Sequence, residues 1–324
     1  MDFLQKTIID KIISYDNISL FFHEVPDFDA LGACFALKRF IKDAYPQKDV
    51  RIIGLDVLEE SFGKGFFHLE REIVPNEFIS QSLGIILDTA NESRIWTQRH
   101  KYCKELIRID HHPQIESIAQ IEWIDQYAPA TCEMVGSLLY AWDPKYVLAV
   151  VAMYLYAGIV TDTNRFLYLS TRTQTFEIAA KLIATNFDRQ KINDAIYLKS
   201  LKEARFDSYV MSRVVFLHEY KFAYAVLEKN SFEKYDIELR MSMVHVLNNI
   251  RGIEVWMTIY YDDTLKAWRG SLRSKKLPIN ELAEKYNGGG HKLAAGFTLK
   301  SLNDFKKLKK DVIEYLKDVL KWSQ

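Results

Sequence analysis

Four β-rich apolar runs, Ile18–Phe22, Val50–Leu55, Leu83–Leu87 and Leu106–Ile109, punctuate the first part of the chain and are separated by long intervening stretches. Helical patterns follow at Thr131–Trp142, Tyr146–Thr161 and Gln174–Thr185, and Asp29 can cap a helix running to about Ala44. Strands alternating with helices leave few options. The sheet must be mostly parallel, with helices on both faces. The fold class is therefore α/β, with a parallel-sheet domain over residues 1–190.

The remainder has a different pattern. A charged stretch, Asp188–Asp207, carries no strand signal and reads as a helical connector, bounded at 191–209. Beyond it, residues 210–324 show strand patterns of antiparallel character at Val214–His218, Phe222–Leu227, Glu254–Tyr261 and Lys266–Leu272. A helix over Lys234–Asn249 interrupts them. A short helix near Pro278 ends at Asn287-Gly288, and an amphipathic helix covers Leu302–Trp322. This is a smaller mixed-sheet α/β domain. At 324 residues, two domains are the default.

Charge and cysteine usage exclude several classes. Lys+Arg and Asp+Glu are each 43, so the net charge is zero. A protein coating long nucleic acid needs a broad basic surface, and this chain has none to spare. Cys34, Cys103 and Cys132 are odd in number and widely spaced, which fits reduced thiols in the cytoplasm better than a disulfide framework. The N-terminus carries acids early and lacks an apolar signal core. The longest uncharged apolar run, Tyr146–Val160, falls short of the roughly 20 residues that span a bilayer. No membrane role is indicated.

Four clusters of acids and histidines sit at element ends. They are His23-Glu-Val-Pro-Asp27-Phe-Asp29-Ala-Leu-Gly32, Asp88, Asp110-His111-His112-Pro113 and Thr161-Asp162-Thr163. The first three follow strands, and the crevice of an open parallel sheet lies outside the carboxyl ends of its strands. Any one of these residues alone reads as a turn, a cap or a structural histidine. Their concentration changes that reading, because three of only eight histidines fall in the clusters. Imidazoles and carboxylates without thiolate suit manganese, magnesium or cobalt. Asp27 and Asp29, two apart at a turn, can face two metals, and Asp88 can bridge them. Two such metals form the clamp used in phosphoryl hydrolysis.

The second domain adds Gly288-Gly289-Gly290-His291 in a chain with only 13 glycines. Bare backbone N–H groups can cradle phosphate oxygens, and Arg273-Ser274 offers a guanidinium and a hydroxyl nearby. A helix C-cap followed by a loop explains one or two of these glycines, but not the third beside His291.

These motifs, in this order, resemble the DHH phosphoesterases that carry a DHH-associated C-terminal domain. The likeness is greatest to the small oligoribonucleases that also dephosphorylate 3′-phosphoadenosine 5′-phosphate. The resemblance implies that His23 and Asp27 bind one manganese, that Asp29, His111 and Asp162 bind the other, and that Asp88 bridges. It implies that Asp110 orients its neighbours, that His112 meets the substrate phosphate, and that Arg273, Ser274, Gly288, Gly289, Gly290 and His291 bind substrate. Two domains closing over a cleft, short RNA as substrate and a cytoplasmic enzyme follow from the same likeness, and a homodimer is compatible with it. Phe28 stands where the family often has glycine, Ala33 where serine is common, and Asn164 where glycine is preferred. A cyclic- or linear-dinucleotide phosphodiesterase fits the same motifs. So does a catalytically inactive nucleotide sensor, although the intact ligand set argues against it.

Overall fold

The computed structural model describes residues 2–58, 62–69, 73–237 and 243–321, without the side chains of Val57, Phe62, Lys64, His291, Leu320 and Lys321. It forms two compact units, Met1–Leu198 and Lys199–Gln324. The first contains α1 (Phe3–Ser14), β1 (Asn17–Phe21), α2 (Phe28–Ala44), β2 (Asp49–Ile52), α3 (Asn76–Ile79), β3 (Leu83–Leu87), β4 (Glu105–Asp110), β5 (Ile121–Ile124), α4 (Thr131–Trp142), α5 (Ala149–Asp162), α6 (Thr173–Ile183) and α7 (Arg189–Tyr197). Its five strands run in the order β2-β1-β3-β4-β5, and every neighbouring pair is parallel.

Period-two alternation divides the apolar side chains of the sheet between its faces. Ile18, Leu20, Leu83, Ile85, Leu87, Ile107 and Ile109 join the main core with α1, α2, α4 and α5. Phe21, Ile86 and Leu106 point the other way, onto Ile53, Val74, Ile79 and Ile95. The expectation of helices on both faces is corrected here. Among the described residues the second face carries only the single turn α3 and short 3-10 segments, because the crossover from β3 to β4 contains just two 3-10 turns, Glu92–Arg94 and Gln98–Tyr102.

Other boundaries also moved. β2 stops at Ile52, short of the expected Leu55, because Gly54 turns the chain with φ +103°. α5 begins at Ala149 instead of Tyr146, since Pro144–Tyr146 is a 3-10 turn capped by Asp143. Asp27, not Asp29, caps α2: its Oδ1 accepts from the N–H groups of Asp29 and Ala30, each at 3.0 Å.

The second unit contains α8 (Leu201–Ser212), β6 (Val214–Leu217), β7 (Phe222–Val226), α9 (Ser231–Tyr235), β8 (Val255–Asp262), β9 (Ala267–Ser274), α10 (Asn280–Glu284), β10 (Gly289–His291), β11 (Ala294–Leu299) and α11 (Leu302–Lys321). Its six strands run β10-β11-β9-β8-β7-β6 and are antiparallel except for β7 with β8. Leu308, Val312 and Leu316 of α11 pack on one sheet face with Leu272, Met257 and Phe297. The helix expected over Lys234–Asn249 is not continuous. α9 ends where Asp236 adopts a left-handed conformation, and Met243–Leu247 is a separate 3-10 turn; residues 238–242 of that expectation lie outside the described ones. Gly289 and Gly290 of the glycine run lie in the edge strand β10, with Gly288 just before it.

Candidate metal centre

Because β1, β3 and β4 are parallel neighbours, their carboxyl ends share one edge. The strand order reverses between β1 and β3, where open sheets bind ligands. His23, Asp88 and Asp110-His111-His112 stand at these three strand ends. The segment Phe22–Glu24 is fixed by backbone bonds to Arg94 and Trp96. Asp88 leaves β3 in a left-handed conformation, φ +56°, a backbone cost of the kind concentrated at functional sites.

Asp29 and Asp162 come from helices. α2 and α5 approach closely because Gly158 has no side chain: a Cβ there would lie 2.4 Å from Cys132 Sγ and 2.8 Å from an Asp29 carboxylate oxygen. Asp162, the last residue of α5, is thereby carried to the same centre. Asp29 is fully buried, and its carboxylate accepts the N–H groups of Thr131 at 2.6 Å and Cys132 at 2.8 Å. It thus satisfies the N-terminus of α4, whose own N-cap position, Ala130, has no side chain to do so.

The side chains converge. His23 Nε2 lies 3.8 Å from Asp27 and 3.5 Å from Asp88. His111 Nε2 lies 3.3 Å from Asp88, 3.6 Å from Asp162 and 4.0 Å from Asp29. Among the described residues, three groups have donor atoms within 4.8 Å of one another: His23–Asp27–Asp88, Asp29–His111–Asp162 and Asp88–His111–His112. All six expected metal ligands are in this set, and Asp88 belongs to two of the groups. The donors are carboxylate and imidazole only, which fits a divalent ion of intermediate hardness.

The electrostatics show a site built for cations. Burial pushes the Asp29 carboxyl up, and the Asp88 charge adds to it, to about 7. Burial and then the charges of Asp29, Asp27 and Asp88 push Asp162 well above the usual carboxylate range. Burial would lower the imidazoles, but the carboxylates beside them win. Asp27 and Asp88 raise His23 to about 10, and Asp88 chiefly raises His111 to about 10. Those same two imidazoles hold Asp88 well below its ordinary value despite its burial. Without metal, protons on His23 and His111 supply the positive charge that these carboxylates need.

Surrounding groups orient the donors. His111 Nδ1 donates to the Ala128 carbonyl at 3.2 Å, so its Nε2 faces the carboxylates. His112 Nδ1 donates to Asp110 Oδ1 at 2.8 Å. Asp110 Oδ2 accepts from Arg108 at 2.6 Å, so both its oxygens are held by the chain. Sequence reading missed two contributors: Arg108 and Thr131. Thr131 Oγ1 donates to Asp88 at 3.0 Å. A visible signal existed for Arg108, a charged residue inside the apolar run Leu106–Ile109.

In the second unit, register places Arg273, Ala294 and His291 side by side, with Ser271, Gly296 and Gly289 one row along on the same sheet face. The Arg273 guanidinium is steadied by the carbonyls of Leu272 at 2.9 Å and Ala295 at 3.3 Å. Ser274 points the other way. It is buried, and its Oγ accepts from the N–H of Leu277 at 2.8 Å, closing a turn. Ser271 is the serine that shares the Arg273 face. The glycines separate too. A Cβ at Gly288 would lie 2.1 Å from the Gly296 carbonyl oxygen. Gly290 has φ +143°, and its Cβ would lie 2.5 Å from the Ala294 carbonyl oxygen. At Gly289 nothing lies within 4 Å, so packing does not demand it.

Comparison with known proteins agrees with this architecture. Residues 17–159 match the DHH family N-terminal domain and residues 219–318 match the DHHA1 domain. The chain is 42% identical to the uncharacterized protein MG371 of Mycoplasma genitalium, covering 96% of this chain and 95% of that one. It is 32% identical to the bifunctional oligoribonuclease and PAP phosphatase NrnA of Bacillus subtilis, covering 95% and 97%. An exopolyphosphatase-related protein from Bacteroides fragilis has the same fold, with TM-score 0.88 and 24% identity over 98% of this chain and 97% of that one. No helix among the described residues is long and apolar enough to cross a membrane. A DHH N-terminal domain followed by a DHHA1 domain, with 32% identity along the chain to NrnA, makes this chain a member of the DHH family and a hydrolase of phosphate esters.

Proposed function

We propose that the chain is a manganese-dependent phosphoesterase that hydrolyses short oligoribonucleotides to mononucleotides and removes the 3′-phosphate of 3′-phosphoadenosine 5′-phosphate. The observation that carries this reading is the pair of histidine–aspartate groups that meet at Asp88, in a chain similar along its length to NrnA. His23, Asp27 and Asp88 would hold one ion, and Asp88, Asp29, His111 and Asp162 the other. Bound metal neutralises phosphate oxygens and lowers the pKa of an attacking water.

The chain's own groups do the rest. The N-terminus of α4 and the Thr131 hydroxyl fix Asp29 and Asp88 against rotation. Asp110 holds His112 through Nδ1, leaving Nε2 as the atom that passes a proton to the leaving oxygen. Asp110 is therefore a positioning residue, the role that the family resemblance implies. Arg273, on the same sheet face as Ser271 and Gly289, binds phosphate in the second domain. The three thiols are all free, in keeping with a cytoplasmic enzyme.

The test is direct. Metal-stripped protein is assayed for mononucleotide release from a diribonucleotide and phosphate release from 3′-phosphoadenosine 5′-phosphate, with and without manganese. Turnover of both on adding manganese is expected. Silence on both substrates with metal bound would reject this reading and favour a sensor.

A further inference from the structure

One segment touches three of the proposed metal ligands without supplying any. It runs from Asp125, just after β5, to Glu133 in the first turn of α4. Its Ala128 carbonyl accepts from His111, its Thr131 and Cys132 N–H groups bind Asp29, and its Thr131 hydroxyl binds Asp88. A shift of this segment would therefore move ligands from three different elements together.

Both ends of the segment are held by one side chain. Arg172, at the N-cap of α6, places Nη2 2.8 Å from Asp125 Oδ2 and 2.6 Å from Glu133 Oε1. Its Nε donates to the same Glu133 oxygen at 2.7 Å. Glu133 is 2% exposed, and its other oxygen accepts from the fully buried Thr175 hydroxyl. Arg172's own N–H donates to Thr175 Oγ1, which ties the grip to the start of α6. Within the segment, Asp125 accepts the Tyr127 and Ala128 N–H groups. The loop between the two gripped carboxylates is thus internally braced and cannot absorb much slack.

Arg172 and Asp125 are partly exposed and Glu133 is buried, so solvent screening and the desolvation of Glu133 both limit what these pairs add to stability. The advantage of the grip is geometric. A planar guanidinium fixes two carboxylates at a set separation, which a lysine ammonium, as a point charge, does not.

We propose that Arg172 is a positioning residue for the metal centre: by gripping Asp125 and Glu133 it sets the segment that orients His111, Asp29 and Asp88. This rests on the assignment of those three as metal ligands. Groups that orient ligands from behind typically contribute about 10- to 100-fold in metal affinity.

The experiment titrates metal-stripped full-length protein with Mn2+, followed by calorimetry and by the electron paramagnetic resonance spectrum of the bound ion. Wild type, Arg172→Met, Arg172→Lys and Arg39→Met are compared; Arg39 pairs with Asp43 on the surface and serves as control. Arg172→Met should weaken Mn2+ binding by about tenfold or more and alter the spectrum, with Arg172→Lys in between and Arg39→Met like wild type. At saturating Mn2+, kcat should recover to within a few-fold, and KM for a diribonucleotide should not change. Folded Arg172→Met with wild-type affinity and spectrum would overturn the proposal. A raised KM with metal binding intact would overturn it too, and would put Arg172 on the substrate. If Arg172→Met does not fold, Asp125→Asn, which loosens one end only, is judged by the same criteria. Wild type that binds no Mn2+ would remove the metal-centre assignment itself, a different failure from unchanged binding in the variant.

Discussion

Arg108 and Asp110 lie two residues apart on one face of β4, joined by a 2.6 Å contact, and both side chains are fully buried. Arg108 also donates to the carbonyls of Ala90, just beyond Asp88, and Glu116. One buried cation therefore ties together the two loops that present Asp88 and His111-His112.

Removing that cation should be costly. Arg108→Met would leave the Asp110 carboxylate buried without its charged partner, a loss of about 3–5 kcal/mol by analogy with other broken buried pairs. Urea unfolding should show it as a lower midpoint. Pairing Arg108→Met with Asp110→Asn should recover part of the loss, because the stranded charge is gone. A double variant no better than the single one would mean that Arg108 acts mainly through the two carbonyls.

Asp88→Asn isolates the charge of the shared carboxylate. Asparagine tolerates the φ of +56° at this position, so the backbone should survive. Turnover should fall by at least about a hundredfold, on the order of 2.7 kcal/mol in the barrier, with a matching loss of bound metal. Retention of a tenth of wild-type activity at normal metal content would show that Asp88 is not shared between two ions.

The metal-stripped protein should lose stability as pH rises. His23 and His111 are raised to about 10, so their stabilisation is complete below the ordinary imidazole pKa of about 6.5 and is lost on the way to about 10. Asp29, raised to about 7, works in the same direction at lower pH: its folded form prefers the proton, so stability falls from about 4 to about 7. Asp88 opposes this only under acid conditions, since its depressed pKa gives stability that is lost when it protonates. Melting temperatures of the stripped protein should therefore decline from about pH 6 to pH 10. Saturating manganese should flatten the curve, because metal replaces the protons. A stripped protein whose melting temperature rises across that range would contradict the charge balance of the site.

The glycine run should separate by position. Gly290→Ala forces a Cβ against the Ala294 carbonyl at φ +143° and should destabilise by roughly 1–3 kcal/mol. Gly289→Ala meets open space and should leave the melting temperature nearly unchanged. If the Gly289 backbone lies against substrate, that variant should still raise KM for a diribonucleotide. Equal destabilisation by both substitutions would remove the distinction between a packing glycine and a binding one.

The sequence made strand ends more legible than faces. Leu83–Leu87 was delimited correctly because a continuous apolar run bounded by polar residues reads unambiguously, and it placed Asp88 at a strand end. β5, Ile121–Ile124, was missed because it is an edge strand with only half-buried side chains and a glutamate in the middle. Among the described residues the second sheet face carries no helix longer than the single turn α3, since periodicity says where a helix lies but not which face it covers. Arg172 and Thr131 could not have been found by motif reading. Their role comes from contacts over long chain separations, such as Thr131 to Asp29, which no local pattern encodes. Ser274 was paired with Arg273 as its neighbour in sequence, yet alternation in β9 turns adjacent residues to opposite faces.

Arg273 offers the sharpest test of how the second domain takes part. Its guanidinium is steadied by two backbone carbonyls, so little side-chain freedom remains to be lost when it meets a phosphate. A charge-assisted contact of this kind contributes on the order of 1.5–3 kcal/mol. Arg273→Ala should therefore lower kcat/KM for a diribonucleotide roughly ten- to a hundredfold. An aryl phosphate, with one phosphate and no nucleoside, should lose much less, because it has nothing to offer a contact outside the metal centre. A long single strand should be a poor substrate for wild type and variant alike, since a chain with no net charge gives its backbone no electrostatic track. Kinetics of both proteins on all three substrates decide the matter. Equal losses on diribonucleotide and aryl phosphate would mean that Arg273 acts on folding or at the metals. A long strand cleaved as fast as the diribonucleotide would reject the preference for short substrates.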